Sequence, residues 1–117
     1  MAKLSTHVLD TAHGRAAAGV AIALYRCDPA GRRLLGEFRT NADGRCDSAL
    51  LVGPALQVGT YEIDFAIGDY FAGQGVATAE PRFLDVVTLR IGIADAGADY
   101  HVPLLASPYA YSSYRGS

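Results

Sequence analysis

Two stretches of strict alternation constrain this chain more than anything else in it. In Thr60–Ile67 the residues Tyr61, Ile63, Phe65 and Ile67 alternate with Glu62, Asp64 and Ala66, and in Val86–Ile93 the residues Val87, Leu89, Ile91 and Ile93 alternate with Val86, Thr88, Arg90 and Gly92. A period of two is the signature of a strand with one face buried and the other wet. Turn residues cut the remainder into similar short runs. Asp28-Pro29-Ala30-Gly31 separates Val20–Arg26 from Leu34–Thr40, which predicts a hairpin, and Asp43-Gly44 closes the second run with a tight turn. Tyr100, Val102 and Leu104 point one way and His101, Pro103 and Leu105 the other, with Pro103 arguing for an edge or irregular strand. Tyr109–Arg115 reads as a final Tyr-rich strand or extended tail. One segment reads as helical, a turn or two capped by Asp69, running through Tyr70-Phe71-Ala72-Gly73-Gln74 and stopped by Gly75. The fold class is therefore mainly β, a two-sheet sandwich of seven or eight strands with one short helix.

The 117 residues, half of them hydrophobic and 19% charged, suit a single domain spanning 1–117. A domain this small leaves little room for a deep pocket in one subunit, so a small-molecule site falls in a groove or between subunits. Ten Lys+Arg against twelve Asp+Glu give no basic field for phosphodiesters, which argues against nucleic acid as a partner. No run of apolar residues is long enough for a signal peptide or a membrane span, so the expected compartment is the cytoplasm and no membrane partner is expected. Cys27 and Cys46 lack metal or redox spacing, and free thiols are the default.

Chemistry rests on three histidines, since imidazole exchanges protons near neutrality without a large shift. His7 lies on the face opposite Thr6 and Val8, and His101 on the face opposite Val102, so both point out of the core. His13, in Thr11-Ala12-His13-Gly14, reads as a solvated turn residue without a partner, whose removal should be nearly silent. Arg45 follows the Asp43-Gly44 turn, where a side chain is presented at a sheet end. The standard serine-hydrolase, nucleotide-loop and zincin motifs are absent. Spacing alone neither supports nor forbids a metal held by three histidines.

The chain ends carry more. Leu4-Ser5-Thr6-His7-Val8-Leu9-Asp10-Thr11-Ala12-His13-Gly14-Arg15 and the run from Tyr100-His101-Val102-Pro103-Leu104 to Tyr114-Arg115-Gly116-Ser117 resemble the transthyretin-related 5-hydroxyisourate hydrolases, with Thr40-Asn41-Ala42-Asp43-Gly44-Arg45 between them in the expected order. The closing Tyr-Arg-Gly-Ser is the most specific part. The resemblance implies a prealbumin-type sandwich of eight strands and one short helix, assembled as a homotetramer with sites in a channel between dimers. It implies a cyclic amide hydrolase that opens the six-membered ring of 5-hydroxyisourate in urate (purine) breakdown, with no cofactor and no metal. His7, Arg45 and His101 match the catalytic positions, and Tyr114, Arg115, Gly116 and Ser117 the substrate-binding tail. Under this reading one histidine takes the water proton and the other orients the water or feeds the leaving group. The sequence leaves that division open while favouring His7 as orienter or base partner and His101 as water contact. Arg45 steadies the oxyanion, and Gly116 lets the tail turn tightly. A neutral imidazole base would lose activity as pH falls through about 6 to 7. Asp99, where the family often has His, sits two residues before His101 and reads as solvated. The alternative is a non-catalytic, transthyretin-like carrier of small molecules on the same fold.

Overall fold

The computed structural model describes residues 1–116; Ser117 lies outside them. Nine strands, one α-helix and, between β5 and β6, one turn of 3-10 helix (Gly53–Ala55) follow among the described residues: β1 (Lys3–Asp10), β2 (Arg15–Ala16), β3 (Ala21–Asp28), β4 (Gly31–Arg39), β5 (Leu51–Val52), β6 (Gly59–Phe65), α1 (Ile67–Gly73), β7 (Val87–Ile93), β8 (Tyr100–Ala106) and β9 (Tyr111–Ser113). They form two sheets. One runs β2-β1-β8-β9 with β5 also paired to β1, and the other runs β4-β3-β6-β7. The alternating residues supply the core between the sheets: Leu4, Val8, Leu24, Ile63, Phe65 and Leu104 have no exposed surface.

The predicted hairpin is β3–β4, its turn held by the Ala30 N–H donating to Asp28 Oδ1. β6 and β7 pair in register from Gly59–Ile93 to Phe65–Val87, and the inward residues of β7 are buried at its ends while Leu89 and Ile91 are half-buried. The strand predicted from Thr60 to Ile67 ends at Phe65, because Ile67 opens the helix and is itself buried there.

Two local expectations are corrected. Asp69 does not cap α1: Ala66 occupies that position without a side-chain bond, and Asp69, in the first turn, accepts instead from Arg82 Nη1 at 2.7 Å. The helix lies so close to this loop that a Cβ on Gly68 would fall 2.8 Å from both Arg82 Cδ and Asp85 Oδ1, so burial of Ile67, Tyr70 and Phe71 and loop contact hold it rather than a cap. Pro103 does not mark an edge either, since β8 lies between β1 and β9. His101 O accepts from Gly116 N–H and Pro103 O from Ser113 Oγ, so the backbone of the odd-numbered residues faces the C-terminal segment. The N–H that Pro103 lacks therefore faces that side, where the ladder to β9 begins one residue later at Leu104–Ser113.

The pairing that matters most for function is parallel. β1 and β8 run side by side from Leu4–Tyr100 to Asp10–Ala106, joining segments more than ninety residues apart. The other edge of β1 is shared by three short pieces, β5 opposite Lys3 and Leu4, Arg45 opposite His7, and β2 opposite Leu9 and Asp10.

Candidate active site

Parallel pairing sets Ser5 beside His101 and His7 beside Pro103, with the odd residues of both strands on the outward face. His7 and His101 consequently meet. His7 Nδ1 lies 2.6 Å from His101 Nε2, with ring planes 20° apart and centroids 4.8 Å apart. His101 Nδ1 lies 2.8 Å from Ser5 Oγ, so both ring nitrogens of His101 are engaged inside the protein. Among the described residues His7 Nε2 has no partner. His101 thus stands behind His7, whose ring keeps the unengaged nitrogen among the described residues.

Arg45 is delivered by the turn before it. Asn41 Oδ1 accepts the N–H groups of Asp43 and Arg45, an Asx-type turn, and Gly44 O accepts from Val8 N–H at 2.8 Å. Gly44 has φ +74°, and a Cβ there would sit 2.5 Å from Val8 O, so only glycine permits this approach to β1. The Arg45 side chain is exposed and, among the described residues, makes no ion pair. It borders an open depression of about 250 Å³ together with Lys3, Ser5, Asp99, Tyr100 and His101.

Both imidazoles are held below their ordinary pKa. For His7 burial is the largest cause, followed by the positive fields of His101 and Arg45. For His101 burial again leads, then Arg45 and Lys3. Desolvation and neighbouring cations both disfavour an imidazolium, which leaves a neutral pair beside a permanent cation. Asp99 does not offset this. It is exposed and its Oδ1 accepts from the Lys3 N–H at 3.0 Å, in keeping with the solvated reading.

The tail is divided. Gly116 reaches the pair: its N–H donates to His101 O at 2.7 Å. It is not among the positive-φ glycines, so it does not serve as the tight turn expected; what matters is its missing side chain, since a Cβ would lie 3.0 Å from His101 Cδ2. Arg115 spreads its guanidinium over the Tyr100 ring at 4.2 Å and donates to Asp99 O at 3.2 Å. Tyr114 is 60% exposed and borders a separate cavity of about 400 Å³ with Leu89, Ile91 and Val102. Within one chain, then, Gly116 joins His7, Arg45 and His101, whereas Tyr114 and Arg115 do not; Ser117 falls outside the described residues.

His13 belongs elsewhere and is not the unpartnered residue expected. Its Nδ1 lies 2.6 Å from Asp10 Oδ2 and its N–H donates to Asp10 Oδ1, while Tyr70 donates to the same carboxylate at 2.8 Å. No group of three His, Cys, Asp or Glu residues among those described is arranged to hold a metal. Sequence reasoning also missed Ser5. The alternation of Leu4-Ser5-Thr6-His7 did place it on the same face as His7, but only the β1–β8 register brings it to His101.

The sequence profile described as the HIUase/Transthyretin family matches residues 4–116. The chain belongs to this family. A protein of Ralstonia nicotianae named 5-hydroxyisourate hydrolase is 57% identical over 117 residues, covering all of both chains. The crystal structure of an (S)-allantoin synthase superposes with a TM-score of 0.94 at 45% identity, covering 99% of this chain and 44% of that one, so this chain spans less than half of that protein. Sea bream transthyretin, solved in complex with thyroxine, superposes with a TM-score of 0.86 at 22% identity, covering 97% and 94%, a likeness of fold. The family match and these superpositions agree with the sandwich described above.

Proposed function

We propose that this chain is a 5-hydroxyisourate hydrolase, opening the six-membered ring of its substrate with water. The observation that carries the reading is the neutral His7–His101 pair at 2.6 Å, opening beside Arg45 onto one face. The name borne by the Ralstonia relative supports it. Ring opening needs a proton removed from water, charge steadied on the attacked carbonyl oxygen, and a proton delivered to the leaving nitrogen. His7 Nε2 takes the proton as the water oxygen bonds to the carbonyl carbon, a contribution of about 10²–10⁴-fold. Arg45 holds the carbonyl oxygen as it gains charge, commonly worth about 10²–10³-fold. When the C–N bond breaks, the proton on the histidine pair passes to the ring nitrogen and the pair returns to neutrality. A carrier would need the depression but not a proton-exchanging pair of which one member, His101, lines it.

The finer parts of the reading go with it. Residues 1–117 act as one catalytic domain, and the subunit assembles as a homotetramer in which a neighbour covers the open side of the depression and Tyr114, Arg115 and Ser117 complete a site between subunits. Cytoplasmic location fits two free, half-buried thiols, Cys27 and Cys46. No helix is long and apolar enough to cross a membrane among the described residues. The test is direct. Freshly generated 5-hydroxyisourate is followed by its ultraviolet absorbance with and without protein, and acceleration over the spontaneous decay supports the proposal. Binding without acceleration would give the chain to the carrier reading.

A further inference from the structure

We infer that Ser5 is a positioning residue of this site: its hydroxyl accepts the Nδ1 proton of His101 and thereby leaves His7 Nε2 bare to receive a proton. The inference rests on the hydrolase reading for its catalytic meaning, but its physical content lies in the three-member chain Ser5 Oγ, His101 and His7.

A contact of 2.6 Å between two ring nitrogens holds one proton, because two would clash and none would set lone pair against lone pair. With both rings neutral, only two arrangements remain. In one, His7 Nδ1–H donates to His101 Nε2, His101 Nδ1–H donates to Ser5 Oγ, and His7 Nε2 carries a free lone pair. In the other, every donor reverses: Ser5 Oγ–H donates to His101 Nδ1, His101 Nε2–H donates to His7 Nδ1, and His7 Nε2 is already protonated. The first can act as a base and the second cannot. The state of the far end is therefore coupled to the reactivity of the near end, some two rings away, and the inferred role of the Ser5 hydroxyl, which can donate or accept, is to accept.

Ser5 also serves the charged intermediate. When His7 Nε2 accepts a proton, the Nδ1 proton of His7 can move across the short contact to His101 Nε2, and the cation then resides on His101 with its Nδ1–H still donated to Ser5 Oγ. Return of that proton to His7 and release of the Nε2 proton to the leaving nitrogen restores the starting arrangement. No proton is gained or lost by Ser5. Geometry favours this role over a merely structural one, for Ser5 is held at its place by the β1–β8 register opposite His101, and the other nitrogen of the His101 ring is engaged by His7. With the ring held between two neighbours, the hydroxyl decides the proton's place rather than the ring's.

The experiment uses the full chain with ¹⁵N-labelled histidine, comparing wild type with Ser5→Ala and Ser5→Thr. Imidazole ¹⁵N shifts of the ligand-free proteins should show Nδ1–H on His101 and a bare Nε2 on His7 in the wild type and in Ser5→Thr, and a shift toward Nε2-protonated His7 in Ser5→Ala. Turnover of 5-hydroxyisourate should fall about tenfold or more in Ser5→Ala through kcat, with KM within about threefold, and threonine, which keeps the hydroxyl and suits a strand, should restore it. Unchanged tautomers in a folded Ser5→Ala protein would overturn the inference, as would a kcat within twofold of wild type despite altered tautomers. A wild-type protein that leaves 5-hydroxyisourate decay unaccelerated would overturn the hydrolase reading and with it the catalytic role of Ser5, while the spectra would still decide the coupling of Ser5 to the pair.

Discussion

Gly116 lies against the His101 imidazole, its N–H bonded to the His101 carbonyl at 2.7 Å and its Cα so near the ring that an added Cβ would stand 3.0 Å from Cδ2. The ring would have to give by a few tenths of an ångström, and it is already fixed by Ser5 and His7. Gly116→Ala is expected to lower kcat by about tenfold, since displacements of about 1 Å at a reacting group can cost about 10². The melting temperature should stay within about 2 °C, because the contact lies outside the core. Turnover beside a thermal melt checks both halves, and native activity would show that the tail does not confine the ring.

The pH dependence follows from the direction of the two histidine shifts. Both imidazoles are held below the ordinary value of about 6.5, so the neutral pair survives somewhat into acid and the acidic limb of kcat/KM should lie at lower pH than an unshifted imidazole would set. Stability moves in the same sense. The unfolded chain takes up protons first as pH drops under about 6.5, so the contribution of the pair is present above that value and is lost as pH falls through the folded values. A profile from pH 4.5 to 8, with urea midpoints at the same points, tests this.

Arg45→Ala should act twice. Removal of the guanidinium should cost about 10²-fold in kcat/KM through the oxyanion. It also removes a positive neighbour that depresses both histidines, so the acidic limb should move upward in pH even as the rate falls. Stability should change by about 0.5 kcal/mol or less, as expected for an exposed side chain with no ion pair. A slower enzyme with an unmoved limb would separate Arg45 from the pair.

Asp10 and His13 make a prediction about stability alone. The Asp10 side chain is fully buried and accepts from His13 twice and from Tyr70 once, and the hydrogen bonds from His13 and Tyr70 hold its carboxyl below the usual range against the opposing effect of burial. His13→Ala should destabilise by about 1–2 kcal/mol, as loss of a hydrogen bond to a buried charged group does, instead of being silent. Asp10→Ala should cost more, stripping partners from Tyr70 and His13 together. Equilibrium urea unfolding distinguishes these values from zero, and the rate of hydroxyisourate decay at saturating substrate should remain near that of wild type for His13→Ala.

The alternation in 60–67 and 86–93 was enough to require a layered β fold, because a period of two leaves a sheet with one apolar face that a second layer must cover; the two runs themselves are neighbours, β6 and β7, in one of the sheets. The turn at Asp28–Gly31, the Asp43-Gly44 turn that presents Arg45, and the outward direction of His7 and His101 were likewise local matters of backbone chemistry, legible without any partner strand. The sequence was a poorer guide wherever a residue's meaning depended on a distant neighbour. Pro103 looked like an edge because a proline's missing N–H is a defect only relative to the strand it faces. His13 looked unpartnered although Asp10 is only three residues back, because only the fold shows that the Asp10 carboxylate is buried, turned toward His13 and shared with Tyr70 sixty residues further on. The site itself is the clearest case. Outward histidines at positions 7 and 101 become a hydrogen-bonded pair only because β1 and β8 run parallel with Ser5 opposite His101, and a register shifted by one residue would have turned one ring into the core. That pairing is a long-range choice made by packing of the whole sandwich, so the tertiary structure alone decided which histidine nitrogens meet, where Gly116 lies, and that Ser5 stands beside His101.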